Sequence, residues 1–285
     1  ILFNSDKSSD QSPIVYTLDN PSERVVWERL RLANPNTGQI PNKIRQKEMI
    51  FAKTLPKSRT INKSGWVHRG PFNVGGRTRA LAMDVLDENT LFAGGASGGM
   101  FRSIDGGQSW DMTTDPNQLH NVTCVSQDTR MGKENIWYFG SGELTGSSAS
   151  GGGAYYGGNG IYKSIDGGLS WDSLSFTATN TNNFDSNFDF IWNLETDPSN
   201  DSLDVVYAAT YGAIYRSEDG GDTWVKELGG SNTYYNNVEI TSTGVVYATL
   251  SSDGTDKGIW RSINGQDWTN ITDSLFPPVY GRIAI

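Results

Sequence analysis

Apolar and polar positions follow two different rhythms along the chain. Over residues 14–60 the apolar residues recur at helical spacing. Asn20, Pro21 and Glu23 have the form of a capping box with proline at the first helical position. Val25, Val26, Leu30 and Leu32 then make an apolar side, which Asn34 and Pro35 stop. Ile44, Glu48, Phe51 and Leu55 stand at i, i+4, i+7 and i+11 and predict a second helix from Asn42 to Thr54, ended by Leu55 and Pro56. From Trp66 onward the period drops to two, in short runs divided by glycine-rich turns. First strands are predicted at Ala80–Asp84, Val122–Asp128, Ile191–Asp197 and Val238–Thr241. Second strands are predicted at Leu91–Ala93, Ile136–Phe139, Val205–Ala208 and Val245–Ala248. Third strands are predicted at the triplets Met100–Arg102, Ile161–Lys163, Ile214–Arg216 and Ile259–Arg261, with a fourth strand further on in each unit.

Between the third and fourth strands one phrase repeats. Ser103 to Trp110 (SIDGGQSW) returns as Ser164 to Trp171 (SIDGGLSW) and as Ser217 to Trp224 (SEDGGDTW). A shortened copy runs from Ser262 through Asn264 to Trp268. The copies start 61, 53 and 45 residues apart, so a constant unit carries loops of different length. Four strands per unit of roughly 40–50 residues is the pattern of a β-propeller blade. The expected fold class is therefore all-β, a propeller of four-stranded blades behind a short helical segment. The divisions are a lead-in at 1–13, the helical segment at 14–60 and a partial propeller at 61–285. Its blades fall at about 66–118, 119–180, 186–230 and 234–276, with the first strand of another at 280–285. An incomplete ring exposes unpaired strand edges, so further blades or a partner are expected to cover the opening.

Composition narrows the function. Gly is 33 of 285 residues, about 12% against a usual ~7%, in keeping with many tight turns. The formal charge of −9 argues against binding nucleic acid through its phosphates. No apolar run approaches the ~20 residues of a membrane-spanning helix. A single cysteine, Cys124, excludes an internal disulfide, and two histidines, His68 and His120, make a histidine-based metal centre a poor expectation. Asp253 and Asp256 beside Gly254 lack the calcium-loop pattern, and no cofactor or metal is called for. Cys124 falls on an apolar first strand and reads as a buried, inert thiol.

The repeated phrase has a physical reading of its own. Asp-Gly-Gly is a hairpin-turn signal, glycine supplying positive φ and aspartate accepting from turn N–H groups, while the Trp folds back over the hairpin. Ser103, Asp105, Gly107 and Trp110, with Ser164, Asp166, Gly168, Trp171, Ser217, Asp219, Gly221, Trp224, Ser262, Asn264 and Trp268, are thus structural staples. Identical carboxylates spread round a ring do not converge as a catalytic site must. Asn264 in the fourth copy keeps the acceptor and drops the charge.

These residues resemble the Asp-box of BNR-repeat propellers, a group that includes sialidases, xyloglucanase-type glycosidases and sortilin-type receptors. The run from Gly70 to Ala80 (GPFNVGGRTRA), the run from Gly94 to Ser103 (GGASGGMFRS) and the lead-in around Trp27–Leu32 and Phe51–Pro56 are similar to the front of large secreted Bacteroidota proteins exported by the type IX secretion system. The resemblance implies an exported, extracellular or cell-surface protein that meets the type IX translocon as a partner during export. It then acts on or through carbohydrate or another surface protein. The main expectation is a binding, adhesion or structural module. The alternatives are a glycoside hydrolase or sialidase-like enzyme and a sortilin-like peptide receptor. In xyloglucanase-type propellers an Asp precedes the Gly-Gly pair of the first blade, and Ala96 holds that place here, which weighs against hydrolysis since acid and base must flank the scissile bond. Arg77 and Arg79, at i and i+2, would share one strand face as a structural or solvated pair. The candidate ligand loop is the Gly/Ser-rich stretch from Gly140 to Gly160, flanked by Glu143, Tyr155 and Tyr156. Bacteroidota O-glycosylation resembles Asp, then Ser or Thr, then an apolar residue, which singles out Ser173, Ser202 and Ser274 as candidate sites, all expected to be exposed.

Overall fold

A computed structural model describes residues 26–27, 29–31, 33–54, 77–115, 118, 121–144, 156–181, 183–230 and 233–285. The lead-in, the Asn20 cap, Trp66, His68, His120 and Tyr155 lie outside them. Val26, Trp27, Arg29, Leu30 and Arg31 are helical, and a second helix runs Ile44–Thr54, two residues inside the predicted start. The apolar side chains Val26, Trp27, Leu30 and Phe51 remain exposed, so neither helical piece buries the face its spacing implies.

The remaining described residues build four antiparallel sheets of four strands, each in sequence order. The first blade holds β1 (Thr78–Met83), β2 (Leu91–Gly95), β3 (Gly99–Ser103) and β4 (Asp111–Met112). The second holds β5 (Val122–Gln127), β6 (Trp137–Ser141), β7 (Ile161–Ser164) and β8 (Asp172–Ser173). The third holds β9 (Ile191–Thr196), β10 (Val206–Thr210), β11 (Ile214–Ser217) and β12 (Val225–Leu228). The fourth holds β13 (Asn236–Ile240), β14 (Val246–Leu250), β15 (Gly258–Ser262) and β16 (Trp268–Asn270). Every strand predicted for the four blades is present, within a few residues of its predicted ends. First strands pack on first strands, β1 on β5, β5 on β9 and β9 on β13, so they line the centre from which the blades radiate. This is a β-propeller arrangement. Residues 280–285 depart from expectation: they form no ladder, and are held to the fourth blade through Thr249 Oγ1, which donates to Ile283 O (2.7 Å), and through Ser252, whose Oγ donates to Tyr280 O (2.7 Å).

The cores lie between blades. Phe92, Met100 and Ala80 of the first blade meet Val122, Trp137, Phe139, Tyr162 and Trp171 of the second. Gly94 and Gly140 occupy matching places in β2 and β6, where a Cβ would collide with Val122 and Ile191 of the following blade. Each fully buried large apolar side chain contributes about 1.5–3 kcal/mol, and the blades gain this only by facing one another.

The repeated turns form as read. Asp105 Oδ1 accepts from Ser103 Oγ (2.7 Å) and Ser109 N (2.9 Å), Oδ2 accepts from Ser109 Oγ (2.6 Å), and Ser103 Oγ in turn accepts from Gly107 N (2.9 Å). Asp166 and Asp219 repeat the pattern with Ser170 and Thr223. In the fourth copy Asn264 Oδ1 takes the N–H groups of Gln266 and Asp267, and its Nδ2 donates to the Asp267 carboxylate (2.8 Å). The staple is not self-contained, however. Gly168 (φ +77°) lies so close to Phe92 of the preceding blade that a Cβ would overlap its ring. Gly221 meets Leu174 in the same way, and Gly265 meets Tyr207. Trp171 and Trp224 are 3% and 5% exposed, whereas Trp110, with no described blade before it, is 37% exposed.

Candidate functional site

Antiparallel order places the repeated turns at one end of the blades. The opposite end carries the starts of β1, β5, β9 and β13 together with the β2–β3, β6–β7, β10–β11 and β14–β15 connections. We call these the box face and the entry face.

On the entry face the candidate loop has a built neck. Glu143 and Tyr156 form an antiparallel bridge (N···O 2.8 and 2.9 Å) across residues 145–155, which lie outside the described set. Asn121, just ahead of β5, donates from Nδ2 to Gly157 O (2.7 Å) and Tyr156 O (3.2 Å). Gly142 (φ +91°) and Gly158 press against the backbone of Asp189, whose carbonyl accepts from Gly158 N (2.9 Å). Asp189 is itself fixed as the capping box of a short 3-10 turn, Asn187–Asp189, with its Oδ2 accepting from Asp185 N and Ser186 N (both 2.9 Å). Glycine is required at 142 because no side chain fits where two blades touch.

Glu143, expected as a loop ligand, is instead fully buried, 0% exposed. Its Oε1 accepts from Arg77 Nη1 (2.7 Å) and faces Arg79 Nε (3.5 Å), while its buried Oε2 has no partner among the described residues. A carboxylate withdrawn from water must be paired, and the two arginines, on one strand face as their spacing predicts, supply that pairing. Tyr156 stays exposed. Ala96 is buried in the β2–β3 turn, its N donating to Arg77 O (2.9 Å).

Deeper in, a hollow of about 270 Å³ is lined by Thr78, Arg79, Thr123, Trp192, Asn193 and Arg282 among others. A larger one of about 710 Å³ opens towards the box face beside Met83, Asp84, Gln127, Trp137 and Glu195. Burial, and then the like charge of Glu239 on β13, push the Glu195 carboxyl up to about 8. Cys124 lines the smaller hollow, its thiol pushed up to about 12 by burial, as an inert core thiol requires. Sequence reasoning missed Glu195, Glu239 and Arg282. The first two carry one signal, polar residues at alternate positions of inner strands (Asn193 and Glu195, Asn237 and Glu239). Arg282 carries none.

The fold is that of a β-propeller, and comparison with known proteins places the chain beside carbohydrate-active ones. It is similar to a xyloglucanase from Paenibacillus sp, 25% identical over 93% of this chain and 29% of the relative. It is also similar to the xyloglucanase Xgh74A of Acetivibrio thermocellus, 26% identical over 68% of this chain and 26% of the relative. The chain thus spans less than a third of the curated relatives it matches. Among solved structures it resembles an ancestral GH74 enzyme (21% identity, 71% of this chain and 26% of that one, TM-score 0.55). It likewise resembles the extracellular domain of a one-component system from B. thetaiotaomicron (14% identity, 76% of this chain and 26% of that one, TM-score 0.50). No family model matches the chain.

Proposed function

We propose that the chain belongs to a carbohydrate-active β-propeller of the glycoside-hydrolase type, with a β-glucan-like polysaccharide lying across the entry face. The carrying observation is the similarity to a xyloglucanase over 93% of the chain. The built neck at Glu143, Asn121 and Tyr156 supports it by presenting a connection beside the mouth of the channel. This reading stands ahead of adhesion or peptide reception. One residue favours a non-catalytic variant of it: Ala96, buried where the xyloglucanase resemblance calls for an aspartate, offers neither proton nor base. The blades described here then supply a binding wall, and cleavage depends on carboxylates other than one at this position. Affinity electrophoresis and reducing-end assays of the full-length protein on xyloglucan and mixed-linkage β-glucan, with an α-glucan control, test it. Retardation with release supports a hydrolase, and retardation alone supports a binding wall. Neither effect on any β-glucan discards the proposal.

The resemblance to exported Bacteroidota proteins adds an extracellular or cell-surface location and type IX export with its translocon as transient partner, and the resemblance to BNR-repeat propellers adds the Asp-box identity of the turns. Exposure of Ser173, Ser202 and Ser274 supports O-glycosylation there. Peptide mass spectrometry of the natively exported protein tests this, and three unmodified serines at full coverage would end it.

A further inference from the structure

The hollow of about 270 Å³ at the entry end of the channel is rich in donors and short of negative charge. Arg79 reaches it from β1 and Arg282 from the segment after the fourth blade. Two guanidinium groups, Arg77 and Arg79, share one carboxylate, Glu143. Arg77 takes the close hydrogen bond at 2.7 Å, and Arg79 stands off at 3.5 Å. Arg282 has no ion pair among the described residues. Its Nη2 makes only long contacts, 3.4 Å each, with Trp192 O and Asn237 Oδ1, and its guanidinium lies over the Trp192 ring at 5.8 Å. The channel carboxylate Glu195 belongs to the other hollow.

We propose that this hollow binds the carboxylate of an acidic sugar unit, with Arg79 and Arg282 as its two cationic jaws. Two guanidinium groups facing one space repel each other unless an anion lies between them. The forked donors of arginine match a carboxylate in particular. Burial, and then the charge of Arg79, already pull the Arg282 guanidinium below its ordinary value, which fits a cation with no counter-ion beside it among the described residues. Size selects the ligand further: the hollow falls below the ~300–1,000 Å³ typical of sites for larger ligands, so it takes a single charged residue of a chain rather than the chain itself. Thr78, Thr123 and Asn193 supply polar partners for hydroxyl groups. The inference rests on the carbohydrate reading for the identity of the ligand and adds that the glycan carries uronic-acid units.

Calorimetry of the full-length protein with tetragalacturonate, its carboxyl-reduced counterpart and a xyloglucan oligosaccharide tests it. The acidic oligomer should bind at least about tenfold more tightly than the reduced one, with affinity falling as salt rises. Arg282→Gln and Arg79→Gln should each weaken it about tenfold. Arg282 lies outside every ladder, so its variant keeps the test valid even where Arg79→Gln impairs folding. Equal binding of acidic and reduced oligomers, no binding of either, no effect of Arg282→Gln, or preferential binding of a short peptide through its C-terminal carboxylate each overturns the proposal. The xyloglucan arm reports separately on the broader reading, which survives any of these results if that oligosaccharide binds.

Discussion

On the box face each carboxylate is enclosed by its own turn. Asp105 is satisfied by Ser103 and Ser109, and Asp166 and Asp219 are satisfied by the equivalent neighbours, all within four residues. On the entry face the one fully buried glutamate among the described residues, Glu143, depends on Arg77, 66 residues earlier. The first arrangement repeats because it is local, and its polar groups are spoken for before anything approaches. The second is unique, joins two blades and leaves Glu143 Oε2 and the Arg282 guanidinium incompletely matched. Identical satisfied groups hold a fold, while unlike groups with spare valence are free to hold a ligand.

Substitutions can break this contrast. The largest effect is expected from Arg77→Ala, which leaves the buried Glu143 with only the looser contact to Arg79 at 3.5 Å. Urea unfolding should show a loss of about 3 kcal/mol, the low end for an unpaired buried charge. Glu143→Gln should cost less, because the part-exposed arginines can turn to water. Equal losses for the two would remove the entry face from this account. Next comes Gly168→Ala, which meets both a positive φ of +77° and the Phe92 ring. A loss of about 2–3 kcal/mol is expected, against about 1 kcal/mol for Gly167→Ala, whose Cβ would point into open space. Parity between these neighbours would show that blades do not meet at the turns.

Asp166→Ala should cost about 1 kcal/mol, since water reaches the exposed turn N–H groups it abandons. Sugar binding by the folded variant should stay within error, and a selective loss of binding would make the turn part of the site. Two further effects are opposed slopes with pH. Ser109 hydroxyl and N–H donors, with Ser103, hold Asp105 down at about 2. Desolvation raises Asp166 and Asp219, but hydrogen bonds from Ser170 and Thr223 outweigh it and both end lowered. Folded carboxyls that titrate below their unfolded value give stability that is whole above about pH 4 and fades as pH falls towards 2. Glu195 acts in the other direction. Its folded value near 8 exceeds the ordinary 4.5, so stability declines as pH rises between the two. Thermal melts from pH 5 to 9 should show that decline in the wild type and lose it in Glu195→Gln.

Strand positions and turns were legible because a period of two and a fixed phrase are local signals. The triplet Ile161–Lys163 and the phrase after it suffice to place β7 and its turn. Inter-blade facts were not legible. Nothing near Gly168 in sequence announces Phe92, and Glu143 beside a glycine-rich loop reads as exposed until Arg77 and Arg79 are brought over it. The helical segment failed in the opposite sense. Its spacing predicts the helix at Ile44–Thr54, but periodicity says only that a face exists, and Phe51 stays exposed among the described residues. Arg282 was invisible because its significance comes from standing alone opposite Arg79, a relation with no trace in its neighbours.

The glycines that land on a preceding blade also impose a direction in time. Phe92 is earlier in the chain than Gly168, Leu174 earlier than Gly221, and Tyr207 earlier than Gly265. A polypeptide made from its N-terminus therefore has each landing residue synthesised before the turn that docks on it. Duplicating a blade within such a series keeps the rule intact, because the new copy brings its own glycine and finds a predecessor already made. The landing residue is free to vary, aromatic in one blade and aliphatic in the next, while the residue that docks on it has to remain glycine.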